Sequence, residues 1–184
     1  MNALESKPGD GKVGVTYSLP QDGGRKNAEG VDIRWKIVKA RYTQEVSTPP
    51  DEFYPRGRTD APFFCHDLTP RKRRVTFDLP SVTQHPSEVT GIDKIEVLVP
   101  RDGLRSYMDL YTSIVGASPQ QHEGRVEFRL SAPGVEGFSG TLRVRAAETA
   151  ADEQFLREKG VGISSLVLRS DAGPLSFPIV DYLQ

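Results

Sequence analysis

Cys65, His66 and Asp67 stand side by side in "DAPFFCHDLTPRKRRV", just ahead of the four consecutive basic residues Arg71 to Arg74. A thiol beside an imidazole is raw material for nucleophilic catalysis, and an imidazole beside a carboxylate is raw material for a divalent-metal site. Spacing restricts both. Neighbours on an extended strand face opposite ways, so only one of His66 and Asp67 can enter a common cleft, and His66 points away from Cys65. Cys65 therefore reads as a small buried hydrophobe. His66 reads either as a ligand contact or as a hydrogen-bonded residue at a strand end.

The other candidates are scattered. The chain has three histidines, His66, His85 and His122, with no HxH or HxxxH spacing among them. A catalytic divalent site takes about three convergent protein ligands and an open position. His85 precedes Pro86 in a loop, and Glu88 follows it at a spacing that would align two ligands only on a helix. His122, in "SPQQHEG", reads as an exposed turn residue. Glu127 points away from the face shared by Val126 and Phe128, toward either a cleft or solvent. Arg34 is the second ligand-binding candidate: on the open face of a strand it can pair bidentately with a carboxylate, or simply face water. Trp35 packs a core or roofs a pocket. No GxSxG, GxGxxG or Walker loop is present, so neither a hydrolase elbow nor a nucleotide cradle is indicated. No metal ligands are assigned. The cofactor is left open, since a divalent metal suits these residue types while their spacing does not support one.

Net charge is −1, from 24 basic and 25 acidic residues, so no global field draws nucleic acid or a membrane, and neither is expected as a partner. The Arg71–Arg74 knot reads as a solvated turn. A single cysteine cannot form an internal disulfide, no run approaches the roughly 18 apolar residues of a bilayer span, and "MNALESKPGDGKVG" lacks the apolar core of a signal peptide. A cytoplasmic location is the expectation. At 184 residues with 36% hydrophobic content, the chain suffices for one domain or two small sub-domains.

Periodicity supplies the elements that must position these residues. Val31, Ile33, Trp35 and Ile37 alternate with polar residues, the mark of a strand with one buried face. "PQDGGRKNAEG" before it is a hairpin or exposed loop, and the segment running from Tyr42 to Asp60 is a long loop. "APFFCHD" predicts a strand, "LTPRKR" a turn and "RVTFDL" a return strand, with a loop or linker in "PSVTQHPSEVTG". "GIDKIEVLVP" predicts a strand burying Ile95, Val97 and Val99. Asp102 is placed to cap a helix whose face carries Leu104, Tyr107, Met108, Tyr111 and Val115, ending at Gly116. Strands follow around Val126, Phe128 and Leu130, and around Leu142 and Val144. A short helix with Ala151 and Phe155 in register stops at Gly160, and "ISSLVLRS" and "PLSFPIV" make a closing hairpin around "DAG". The class is α+β.

Three segments in order, "GGRKNAEGVDIRW", "APFFCHDLTPRKRRV" and "HPSEVTGIDKIEVLVP", resemble the glyoxalase-like branch of the vicinal oxygen chelate superfamily across roughly residues 20–116. The resemblance implies paired βαβββ modules, with a curled mixed sheet around a cleft and the first module truncated. It also implies a partial first module over residues 1–80, a linker over 81–90 and a second module over 91–184. In the family's enzymes a metal held by His, Gln and Glu chelates vicinal oxygens of the substrate, while other members bind a small molecule without metal. Lys94 stands where that family often has a ligating His, and an ammonium is a poor ligand at neutral pH.

The leading expectation is a glyoxalase-like domain handling a small-molecule ligand in a sheet-lined cleft, with Arg34 and His66 as its ligand-binding residues and neither metal nor catalysis required. One alternative is a metal-dependent lyase, isomerase or dioxygenase completed by homodimerisation. The other is a non-catalytic dimerisation or interaction module.

Overall fold

The computed structural model describes residues 13–42, 60–84, 86–131, 139–170 and 172–178. In the first half, β1 (Val15–Tyr17) and β4 (Ala40–Tyr42) pair antiparallel as a two-stranded sheet. Between them, β2 (Gln21–Lys26) and β3 (Asp32–Val38) form the expected hairpin. The Asn27 Oδ1 closes its loop by accepting the backbone N–H groups of Glu29 and Val31 at 3.0 and 2.9 Å, and Gly30 supplies the positive φ of +77°. β5 (Phe64–Asp67) lies antiparallel on the other side of β3, completing a three-stranded sheet.

The predicted return strand over residues 74–79 does not form. A 3₁₀ turn over Arg71–Arg73 is followed by further tight turns and by α1 (Pro80–Thr83), a helical turn inside the expected loop. Local bonding wins here. The N–H groups of Arg73 and Arg74 reach the carbonyls of Pro70 and Arg71, and the Arg74 side chain is drawn back onto Asp67 and Cys65. β5 thus takes its partner from β3, about thirty residues upstream by register, instead of from the next segment.

The second half builds a six-stranded mixed sheet. Its elements in chain order are β6 (Val89–Val99), α2 (Leu104–Val115), β7 (Gln120–His122), β8 (Arg125–Ser131), β9 (Ser139–Ala146), α3 (Ala150–Lys159), β10 (Gly162–Ser170) and β11 (Leu175–Pro178). The order across the sheet is β11-β10-β6-β9-β8-β7, with β6 and β9 parallel and every other pair antiparallel. Strand, helix, strands, helix and closing hairpin follow in the expected α+β order.

Two helix starts differ from expectation. Asp102 does not cap α2; it sits in a 3₁₀ turn over Arg101–Gly103, and Gly103 occupies the cap position without a side-chain bond. Gly116 does end the helix, in the left-handed conformation at φ +73°. In α3 the inward residue of the first turn is Asp152, while Ala151 is exposed. Thr149 and Asp152 form a reciprocal capping box, so capping chemistry overrides the apolar register.

The core lies between α2 and one face of the large sheet. Tyr107, Met108, Leu110 and Tyr111 of α2 pack with Val97, Val99, Val126, Phe128, Leu142 and Val144, each fully buried large apolar side chain contributing roughly 1.5–3 kcal/mol. Val15, Ala40 and Ala61 join the same cluster from the first half. The Tyr107 hydroxyl donates to Asp60 Oδ2 at 2.7 Å and the Tyr111 hydroxyl to the Asp60 carbonyl at 2.6 Å. Tyr17 donates to the Pro62 carbonyl at 3.1 Å. Asp60 is thereby fixed against α2 and Pro62 against β1.

Candidate functional site

The alternation that sends Leu142 and Val144 into the core sends Arg143 and Arg145 to the opposite face of β9. Glu96 of β6 and Glu127 of β8 flank Arg143 in register. Arg143 Nε donates to Glu127 Oε1 at 2.8 Å, and its Nη1 to Glu96 Oε2 at 3.3 Å. Arg145 Nε donates to Glu96 Oε1 at 2.7 Å, and its Nη2 to Asp152 Oδ1 at 2.7 Å. Arg125 approaches Glu127 at 3.7 Å. One ionic chain therefore crosses three strands and ends at the N-terminus of α3.

The electrostatics follow from these bonds. The hydrogen bond from Arg145 holds the Asp152 carboxyl well below the usual carboxylate range against the opposing effect of burial, and the N–H groups of Glu148 and Thr149 add to it. The same bond to Asp152 raises the Arg145 guanidinium above its ordinary value. Arg125, Arg143 and Arg145 balance Glu96, Glu127 and Asp152 in charge.

Besides the exposed Arg129 on β8, Lys94 is left over. It is half-buried, two positions before Glu96 and opposite Thr141, so it shares the face of the ionic chain. Among the described residues its ammonium has no ion-pair or hydrogen-bond partner. An open groove of about 430 Å³ lies near the far end of the chain, lined by Pro100, Arg101, Ala147, Glu153, Leu156 and Arg157. Arg101 is already engaged there, its Nε donating to the Ala147 carbonyl at 2.9 Å.

The predicted ligand-binding residues, Arg34 and His66, lie elsewhere but together. In the β3–β5 register Lys36 is opposite His66, which puts Arg34, Lys36 and His66 on one face of the three-stranded sheet. Arg34 and His66 are exposed. The Arg34 backbone is bonded to Thr69 through both its N–H and its carbonyl, and Lys36 approaches Asp22 at 3.4 Å. On the opposite face, Arg74 grips Asp67. Its Nη2 donates to Oδ2 at 3.1 Å, while Nε and Oδ1 make a close ion contact at 2.9 Å that lacks hydrogen-bond alignment. Cys65 is half-buried, with its sulfur 3.4 Å from Arg74 Nη1. Trp35 lies against Gly23, whose missing Cβ makes room for the indole. His122 is exposed in the short edge strand β7, Glu88 is exposed with φ +57° ahead of β6, and His85 lies outside the described residues.

The metal chemistry implied by the resemblance does not fit these residues. Among the described residues no three His, Cys, Asp or Glu side chains converge. The carboxylates of the ionic chain are bridged by guanidinium groups, Glu96 and Glu127 by Arg143 and Glu96 and Asp152 by Arg145, which occupy a cation's place between them. Glu127 was legible as a residue on the polar face. Arg143, Arg145 and Glu96 were signalled by strand alternation alone, and nothing in sequence spacing indicated that Asp152 would join them.

No family model matches the chain, and no curated protein matches it. Two solved structures show likeness. One is a hypothetical protein from Staphylococcus aureus, at 11% identity and a TM-score of 0.48, covering 73% of this chain and 45% of that one. The other is methylmalonyl-CoA epimerase from Mycobacterium tuberculosis, at 25% identity and a TM-score of 0.33, covering 47% of this chain and 59% of that one. This chain thus spans about half the length of each structure it resembles.

Proposed function

We propose that this chain is a small-molecule-handling domain of the glyoxalase-like type, binding without metal on the polar face of β6, β8 and β9. The observation that supports this is Lys94, a half-buried cation without a partner among the described residues, beside a charge-balanced chain of arginines and carboxylates. A half-buried ammonium gains by pairing with a ligand anion. In the same row across the sheet stand Thr141 of β9 and Arg129 of β8, which offer a hydroxyl and a guanidinium to a second polar group of the ligand. The ligand class is therefore a small organic anion, a carboxylate or phosphate ester carrying a second polar group.

Thermal unfolding in the presence of small carboxylates and phosphate esters tests this reading. At least one of them raises Tm of the wild type by several degrees and leaves Lys94→Met unmoved. A panel that shifts neither protein overturns the assignment.

A second reading rests on the shared face of Arg34, Lys36 and His66. Here Arg34 and His66 hold the ligand anion, and Arg34→Ala, not Lys94→Met, abolishes the shift. The dimer-completed metalloenzyme is tested by the metal content of the purified protein, with His66→Ala as control. A stoichiometric metal lost in that variant would replace the metal-free reading.

A further inference from the structure

Besides His66, the segment from Phe63 to Val82 carries exposed apolar and basic side chains that neither reading uses. Seven of its large apolar side chains, Phe63, Phe64, Leu68, Val75, Phe77, Leu79 and Val82, are exposed at 44–56%. They are seven of the twelve exposed large hydrophobics among the described residues, concentrated in one short stretch of chain. The stretch folds back on itself through its own turns and through the grip of Arg74 on Asp67. Arg71, Lys72 and Arg73 project from its 3₁₀ turn, all exposed and without a carboxylate partner among the described residues. Exposed apolar area of this density marks an interaction surface.

We propose that this segment docks the protein on an anionic lipid bilayer surface, the phenylalanines and aliphatic side chains entering the headgroup boundary while Arg71, Lys72 and Arg73 engage lipid phosphates and carboxylates. Charge complementarity selects the occupant. A basic cluster beside an apolar surface is suited to an interface that is apolar below and negative above. A second copy joined through the same patch about a two-fold axis would bring like-charged clusters together. Nucleic acid would use the three phenylalanines for stacking but leave Leu68, Val75, Leu79 and Val82 without a role. The whole-chain charge of −1 pointed away from membranes because it averages over cations that the fold collects in one turn.

Sedimentation with phosphatidylcholine vesicles, with and without 30 mol% phosphatidylserine, provides the test. The wild type partitions onto the anionic vesicles and only weakly onto neutral ones, and raising salt from 50 to 500 mM weakens the binding. The triple variant Arg71→Glu, Lys72→Glu, Arg73→Glu loses on the order of a hundredfold or more in partitioning, at roughly 1 kcal/mol per basic residue. Phe77→Ser with Val82→Ser loses binding with its cations intact. Both variants alter exposed positions, and unchanged circular dichroism confirms their folding. Equal binding to neutral and anionic vesicles, or none to either, overturns the proposal. So does a concentration-dependent dimer abolished by Phe77→Ser without vesicle binding, or retention by a single-stranded oligonucleotide without vesicle binding.

Discussion

Asp152 and Tyr111 hold the fold together through opposite ionisation preferences, and each leaves its own trace in stability against pH. Asp152 is charged in the folded state and its pKa is depressed, chiefly by Arg145. Its contribution is therefore present above the unfolded carboxyl pKa of about 4 and is lost as pH falls toward the lower folded value. Asp152→Asn breaks the ion pair to Arg145 while leaving one amide oxygen to serve the capping box, and we expect a loss of roughly 2–3 kcal/mol at neutral pH. Urea unfolding between pH 4 and 2 should then show a flatter acid limb in the variant. A parallel limb would mean that Asp152 contributes nothing there. Tyr111 is the reverse case: burial first, then the charge of Asp60 and the presence of Tyr17, raise its hydroxyl above the ordinary value. Its stabilisation is complete below pH ~10 and fades as pH rises beyond that, because the unfolded chain ionises first. Tyr111→Phe loses the bond to the Asp60 carbonyl, about 1 kcal/mol, and its alkaline unfolding should be less steep than the wild type's.

The chain has one tryptophan, and its packing makes the β2–β3 hairpin directly observable. Gly23 and Trp35 are register partners, and a Cβ at position 23 would collide with the indole. Gly23→Ala must push Trp35 off the strand at a cost of order 1–3 kcal/mol, and tryptophan emission should shift to the red. Unchanged emission would show that the indole does not rest there. This contact illustrates what was legible. Alternation placed Ile33 and Trp35 on one face, and the same logic located β6, β8, β9 and the tyrosine face of α2. Those elements have long, regular patterns whose buried side is set by one packing partner. Residues 74–79 alternate as well, yet the proline-led 3₁₀ turn and the tight turns after it use the backbone groups a strand would need, and the Arg74 side chain turns back onto Asp67 and Cys65. Periodicity reports which residues would share a face if extended, not whether a tighter local turn pre-empts the strand. The ionic chain was half legible for a related reason: parity put Glu127 on the polar side and Leu142 and Val144 inward, which leaves Arg143 and Arg145 outward, but their meeting with Asp152 depends on where α3 lands.

For the whole molecule, the allocation of β1 and β4 decides whether the boundary near residue 80 is a physical one. The resemblance placed residues 1–80 in one module and 91–184 in another. Val15, Ala40 and Ala61 nevertheless belong to the cluster built by α2, β6, β8 and β9, and the hydroxyls of Tyr107 and Tyr111 tie Asp60 to α2. The three-stranded sheet contributes only Ile33 to the fully buried set, outside that cluster. Segments that share a buried core open together, while a sheet with little buried apolar surface opens at lower free energy. Amide hydrogen exchange should therefore show two tiers that cut across the sequence boundary. The N–H groups of β6, β9 and α2 should exchange slowest, those of β1 and β4 should follow the same global opening, and those of β2, β3 and β5 should exchange earlier by sub-global opening. Added denaturant separates the two, since globally limited amides respond steeply and locally limited ones do not. If β1 and β4 instead exchange with β2, β3 and β5, the first 80 residues are a folding unit of their own and the shared core does not couple the halves.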